Sequence, residues 1–109
     1  MPIALADFSA AHFAARLGET FAFERPDSPG EHAPLVLLEV KDLGPSPAPG
    51  QRAPFSLLFE LREGRSLSVH PHRLLAGGFE PCHLLVTRVA DPARLRENPR
   101  RQFYEAVFA

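Results

Sequence analysis

The sequence predicts a mainly β protein: a small antiparallel barrel or sandwich of about six strands, with one short N-terminal helix. The first observation is an alternating apolar run at residues 54–62, flanked on both sides by further strand-like runs. The second is the set of 12 Pro residues, which cluster between the apolar runs and favour short strands over long helices. The third is the length of the connections, which is typical of antiparallel neighbouring strands. Six such strands can hide their edges if the sheet curls, which favours a barrel or a sandwich.

Residues 54–62 form the most strand-like run of the chain. Two Phe and two Leu at alternate positions share one face of an extended chain, whereas the other face turns polar after Leu58. Burying these four side chains would contribute roughly 6–12 kcal/mol of gross hydrophobic stabilisation. Pro54 and the period of two argue against a helix. The four residues are Phe55, Leu57, Phe59 and Leu61.

A short helix is predicted over residues 7–17. Good N-cap residues begin this stretch, Ala residues dominate its centre, and Gly18 follows as a C-terminal stop. Phe13 and Leu17 lie four residues apart and would share a face with Ala10. We therefore expect that face to pack on the sheet.

The other strands follow from alternation and from the Gly- and Pro-rich segments between them. The apolar residues of the last strand do not alternate strictly, which leaves two alternatives: both of its faces are covered, or a bulge interrupts it. Residues 63–65 are predicted to form a tight turn and residues 91–99 at most two helical turns. The predicted strands are 19–24, 35–43, 54–62, a broken strand in 68–76 with its second half at 72–76, 82–89 and 102–108.

Length and charge restrict the class of protein. A chain of 109 residues is large enough for one core and too small for two, so residues 1–109 are predicted to be a single domain. The net charge is −1, with 12 basic and 13 acidic residues. No overall field therefore attracts nucleic acid or an anionic membrane, and neither partner is expected.

Cysteine usage and hydropathy indicate the compartment. Cys82 is the single cysteine, so an internal disulfide cannot form, and small secreted domains normally depend on such bonds. Charged residues interrupt the only candidate for a signal peptide, and no apolar run approaches the roughly 20 residues that cross a bilayer. We expect a soluble, cytoplasmic protein.

The candidate metal ligands are His70, His72 and His83, with Cys82 as a fourth residue to consider. His70 and His72 share a strand face if the chain stays extended through Pro71, and two imidazoles at that spacing can bind one metal ion. Either Cys82 or His83 could complete the site, because adjacent residues point to opposite faces. The alternative is that these are ordinary loop and surface residues, since the spacings of a zinc motif are absent.

Four strand carboxylates could act as acid–base pairs, but without a nucleophile or a fixed spacing they are interpreted as solvated, outward-facing groups. Ser56 lacks a nucleophile elbow and is interpreted as an ordinary strand residue. No catalytic residue is therefore predicted. The carboxylates are Glu39, Asp42, Glu60 and Glu105.

Two other patterns could bind charged ligands. Gly77-Gly78 could contact a phosphate, but the helix and Lys of a phosphate loop do not follow, so a turn is predicted and no cofactor is expected. Arg94, Arg96, Arg100 and Arg101 could form a nucleic-acid or acidic-partner surface. Because no aromatic stacking residues interleave with them, a solvated helix face is the preferred interpretation.

Three segments of the chain share a pattern: residues 8–23, with the spacing Phe13, Gly18, Phe21; residues 52–59; and residues 104–108. Together they resemble the DUF6916-type family of small bacterial domains of unknown function. The chain departs from the family pattern at residues 67–72, where relatives carry a Leu-Pro-Gln-Gly-Thr-Tyr type run. The resemblance implies a gene setting near phage-tail-like structural proteins and no catalytic residues.

The missing catalytic constellation and the family resemblance predict a non-enzymatic structural or protein-interaction module. We expect it to bind a protein partner or to self-associate, and to act as an accessory of a phage-tail-like particle. The alternative is a small ligand-binding or metal-binding β-barrel that uses the region of His70, His72 and His83. A third hypothesis is a regulatory domain that binds acidic partners through residues 94–101.

Overall fold

The computed structural model describes residues 2–62, 65–68, 70–90 and 101–108. Across these residues seven antiparallel strands form one curled half-barrel sheet, which confirms the predicted mainly β class with one strand more than expected. A 3-10 turn at Leu5–Asp7 and the helix α1 at Ala10–Ala14 precede the sheet. The strands are β1 (Thr20–Glu24), β2 (His32–Asp42), β3 (Phe55–Leu61), β4 (His72–Leu75), β5 (Cys82–Leu84), β6 (Thr87–Val89) and β7 (Gln102–Phe108).

The predicted central run is β3, and it lies inside the sheet between β2 and β7. The four apolar residues named for its inner face are fully buried. The outer face is covered more than its polarity suggests, because Ser56 and Glu60 are also buried. The strand order across the sheet is β5-β4-β1-β2-β3-β7-β6.

Aromatic rings fill the concave side of the sheet. Phe13 from α1 stacks on Phe79 with ring centroids 4.9 Å apart, and Phe55 of β3 stacks on Phe108 of β7 at 4.6 Å. Such pairs contribute about 0.5–1.5 kcal/mol each beyond the area they bury. The helix is therefore held to the sheet by its single large apolar side chain.

The helix is shorter than predicted, and one of its assigned core residues is exposed. α1 ends at Ala14 and turns follow it up to Gly18, whose φ of +84° suits the predicted stop. Phe13 is fully buried, but Leu17 is 51% exposed. The prediction that Phe13 and Leu17 share a buried face is wrong, because the helix ends before the turn that would align them.

The single predicted strand 82–89 is two strands. β5 pairs with β4 at one end of the sheet and β6 pairs with β7 at the other end. Leu85 and Val86 connect them, so the Cα atoms of Leu84 and Thr87 are at most about 11 Å apart. The two ends of the sheet are therefore close together at this connection, which is why the sheet must curl.

Both faces of β7 are partly covered, which selects the first of the two predicted alternatives. Phe103 and Tyr104 are neighbours on opposite faces and both are buried. Its register with β3 is continuous from Gln102 to Phe108. The irregularity lies in β2 instead, where the register with β3 shifts between Leu37 and Glu39.

Within the part of the chain that the structure describes, no helix has the length and apolar character that a membrane crossing requires. The helical turns predicted at residues 91–99 and the turn residues 63 and 64 lie outside the described residues.

Candidate functional site

The predicted histidine set is not assembled in this fold. His72 is fully buried, whereas His70 and His83 are exposed. In the ladder between β4 and β5, His72 lies opposite Leu84, and His83 lies opposite Arg73 on the other face of the sheet. His72 and His83 therefore point away from each other. The described residues contain no group of three or more His, Cys, Asp or Glu side chains placed to hold a metal ion.

Cys82 is the one member of that region on the same sheet face as His72. It pairs with Leu74, whose side chain is buried, and it is itself partly buried. Burial raises the pKa of the Cys82 thiol. The thiol therefore remains protonated at neutral pH and is a poor nucleophile.

Two of the four predicted carboxylates share a shallow groove on the outer face of the sheet. Glu39 and Glu105 both lie in register with Leu58, one on each neighbouring strand, so their Cα atoms are about 10 Å apart. Lys41 and Ser56 line the same groove, which has a volume of about 220 Å³. The structure shows no hydrogen bond between the two carboxylates among the described residues, so their proximity alone assigns them no acid–base role.

Glu60 was interpreted as a solvated group, and the structure shows that it is buried. Only 1% of its side chain is exposed. Arg62 Nε donates to Glu60 Oε1 at 2.9 Å, and Arg101 Nε donates to Oε2. Burial alone would raise the pKa of Glu60, but the two arginine hydrogen bonds outweigh it and hold the pKa below its ordinary value.

The predicted arginine patch is only partly described. Arg94, Arg96 and Arg100 lie outside the described residues. Arg101 bonds to Glu60, and its guanidinium lies 5.2 Å from the ring centroid of Phe103. This arginine therefore stabilises the outer face of the sheet, in contrast to the solvated helix face that was predicted for it.

A buried arginine at the end of β1 was missed by the sequence analysis. Arg25 is 3% exposed, and its guanidinium donates to the carbonyls of Ser66 at 3.2 Å and Arg65 at 2.9 Å. Glu31 Oε1 lies 3.2 Å from Arg25 Nε and balances the charge. The sequence did contain a signal for this burial: Arg25 continues the alternation of Phe21 and Phe23, which places it on the inner face of the sheet.

An apolar groove lies between α1 and the turn at Gly77-Gly78, and we call it the α1 groove. Its volume is about 390 Å³. Arg16 spans one side: it donates to Gly77 O at 2.7 Å, and its guanidinium lies 4.8 Å from the ring centroid of Phe21. The predicted turn at Gly77-Gly78 is confirmed. The lining residues are Ile3, Ala11, His12, Ala15, Arg16, Gly77, Gly78 and Phe79.

A family model described as a domain of unknown function, DUF6916, matches residues 8–108. This chain belongs to the DUF6916 family. Searches of the curated proteins and of the solved structures found no match.

The aromatic residues that carry the likeness to the DUF6916 family are core residues. Phe13 packs against Phe21 with centroids 6.0 Å apart, and Gly18 between them donates its N–H to Leu37 O at 2.8 Å. Phe108 of the closing motif stacks on Phe55 of the central motif. The family motifs in this DUF6916 domain therefore describe how the helix packs on β1 and how β3 packs against β7.

The segment that departs from the family pattern, residues 67–72, contributes specific contacts in this DUF6916 domain. Leu67 N donates to the hydroxyl of Tyr104 at 3.0 Å, and Tyr104 donates to Gln102 Oε1 at 2.7 Å. His72 Nδ1 lies 2.8 Å from His70 O. Side chains of the core thus hold the backbone of this segment.

Proposed function

We propose that this DUF6916 domain is a non-enzymatic structural or protein-interaction module that binds a protein partner or a second copy of itself. The α1 groove supports the proposal, because it is a concave, mostly apolar surface on a rigid support. Phe79 forms part of the groove and stacks on the buried Phe13. Apolar concavities of this kind mark interaction sites in small proteins.

The proposal extends to the setting in which the module acts. We place it in the cytoplasm, in keeping with the single partly buried Cys82. The gene setting implied by the family resemblance supports a role as an accessory of a phage-tail-like particle, and that role is a structural one.

A charge placed in the α1 groove tests the proposal. Ala11 and Ala14 are both exposed on α1, but only Ala11 lines the groove. We expect Ala11→Glu to abolish the association, because it places a carboxylate in the apolar contact. Ala14→Glu is the matched control and should leave the association unchanged.

Two measurements read out this comparison. Sedimentation velocity over a range of concentrations measures self-association, and quantitative cross-linking in the native cell measures which proteins contact each variant. Loss of the association in Ala11→Glu alone supports the proposal. If the wild type remains monomeric and all three proteins have the same cross-linked partners, the α1 groove is not an interaction site.

A further inference from the structure

Between β3 and β4 lies a segment that we call the latch, consisting of residues 65–68 and His70. Three core side chains hold its backbone. Arg25 donates to the carbonyls of residues 65 and 66, Tyr104 accepts from Leu67 N–H, and His72 contacts His70 O. All three of these side chains are 3% exposed or less. The latch backbone is therefore attached to the protein interior, while the Arg65 side chain also ties it to Asp27 and Glu31 at the surface.

The protonation state of His72 follows from its contact with the latch. A carbonyl oxygen can only accept a hydrogen bond, so His72 Nδ1 carries the proton and donates to His70 O at 2.8 Å. The other nitrogen, Nε2, is buried and has no hydrogen-bond partner among the described residues. A neutral ring with Nδ1 protonated leaves only an acceptor lone pair unpaired at Nε2, whereas a cation would leave both an N–H donor and a charge unpaired there.

The groups around His72 do not favour a second proton. The register of β1 and β4 pairs Glu24 with Arg73, so it continues to place Arg25 beside His72 on the inner face. Burial opposes a charge on His72 most strongly, and the charges of Arg25 and His70 add to it, whereas the hydrogen bond to the His70 backbone and the charge of Asp27 favour one. The charged or titratable groups on the elements around His72 are Glu24 of β1, Arg25 directly after it, Asp27 and Glu31 of the following turn, Arg65 and His70 of the latch, Arg73 of β4, Cys82 and His83 of β5, and Tyr104 of β7, which bonds to the latch.

We propose that His72 is a protonation switch: in neutral form it holds the latch closed, and its protonation on acidification releases the latch from the core. A second proton would place a buried cation beside Arg25, with an N–H at Nε2 that has no acceptor among the described residues. Release of the latch relieves both costs, because the ring then reaches water.

Opening of the latch would uncover apolar surface. Leu67 and Ser68 of the latch line a cavity of about 320 Å³, together with Leu85, Val86 and Tyr104. Leu85 is already 57% exposed at the edge of this cavity. Acidification would therefore expose apolar surface at the connection between β5 and β6, and this effect is separate from the α1 groove and independent of the function proposed for it.

The direction of the pH effect follows from burial. Desolvation lowers the pKa of His72 below its ordinary value of about 6.5. The closed state therefore binds fewer protons than the open state, so closure is fully favoured above about pH 6.5 and is lost as the pH falls below it. Asp27 and Glu31 stay ionised in this range, because the hydrogen bonds from Arg65 lower their pKa values.

Tyr104 provides a direct readout of the latch. It is the only tyrosine in a chain without tryptophan, and its hydroxyl accepts from Leu67 N–H of the latch. We expect its fluorescence to change between pH 7.5 and 5.0. Over the same range, the hydrogen-exchange protection of the Leu67 amide, corrected for intrinsic exchange, should fall at least about tenfold.

Two substitutions separate His72 from the other histidines. His72→Asn keeps an N–H donor for His70 O but cannot titrate, so its Tyr104 signal should stay constant from pH 7.5 to 5.0. His83→Asn removes an exposed histidine of the adjacent strand and should keep the wild-type transition. A pH-independent wild type, or the same transition in His72→Asn, overturns the proposal.

A measurement on the wild type keeps the proposal testable if His72→Asn does not fold. Nitrogen NMR of the imidazole rings at pH 7.5 should show His72 protonated at Nδ1 only. The appearance of a proton on Nε2 should coincide with the change at Tyr104. A ring that carries its proton on Nε2 at pH 7.5, or that titrates without a change at Tyr104, contradicts the switch.

Discussion

Glu60 shows how a polar residue becomes part of the interior when its partners come from elsewhere in the chain. Its carboxylate lies on the outer face of β3 and is bonded by Arg62 and Arg101. Because these bonds lower its pKa, Glu60 stabilises the fold above its ordinary pKa of about 4.5, and that contribution is lost as the pH falls through the lower folded value.

Replacing this carboxylate gives a prediction at the scale of one residue. Glu60→Gln should lower the free energy of unfolding by about 1–3 kcal/mol at pH 7, because two charge-assisted hydrogen bonds are weakened. The loss should shrink below pH 4. Urea denaturation at several pH values measures both effects.

Glu39→Gln is the control for this experiment. Glu39 is exposed on the neighbouring strand, so its replacement should change the unfolding free energy by less than about 0.5 kcal/mol. Equal losses in the two variants would mean that the arginine contacts of Glu60 contribute nothing to stability.

At the scale of elements, α1 depends on one side chain for its attachment. Phe13 is in contact with the rings of Phe8, Phe21, Phe55, Phe79 and Phe108, while Leu17 projects from the turn beyond the helix. A five-residue helix is too short to persist without tertiary packing. The helix α1 is therefore stable only while Phe13 stays packed in the aromatic cluster.

Alanine substitution separates the two residues that the sequence placed on one face. Phe13→Ala should destabilise the protein by about 3–5 kcal/mol, because it leaves a cavity at the centre of the aromatic cluster. Leu17→Ala should cost less than about 0.5 kcal/mol. Thermal denaturation followed by circular dichroism measures the difference, and similar costs would place Leu17 in the core in solution.

The sequence predicted elements well where a pattern stayed within one segment. The inward positions that alternation predicted for β1 and β3 are fully or almost fully buried, although the outer face of β3 is largely covered as well. The prediction of one continuous strand at 82–89 was wrong, because β-branched and aliphatic residues continue through Leu85 and Val86 with no turn residue to mark the break. The break there arises from the choice of partners, since β5 pairs with β4 and β6 pairs with β7.

For the whole molecule, the strand order predicts how local stability is distributed. β2 and β3 lie inside the sheet with a partner on each side, whereas β5 and β6 are its terminal strands and have three residues each. Hydrogen exchange at pH 7.5, where the latch is closed, should be at least about a hundredfold slower in β3 than in β5 and β6. Equal protection across the sheet would contradict this distribution.

Local chemistry in the sequence determined the fold class, the central strand and the N-terminal helix, because periodicity and capping depend on neighbours within a few residues. Tertiary structure alone decided that Glu60 is buried, that His72 and His83 point apart, and that β5 and β6 occupy opposite ends of one curled sheet. These features depend on contacts between residues far apart in the chain, such as that of Glu60 with Arg101, 41 positions away. Local periodicity carries no information about such contacts.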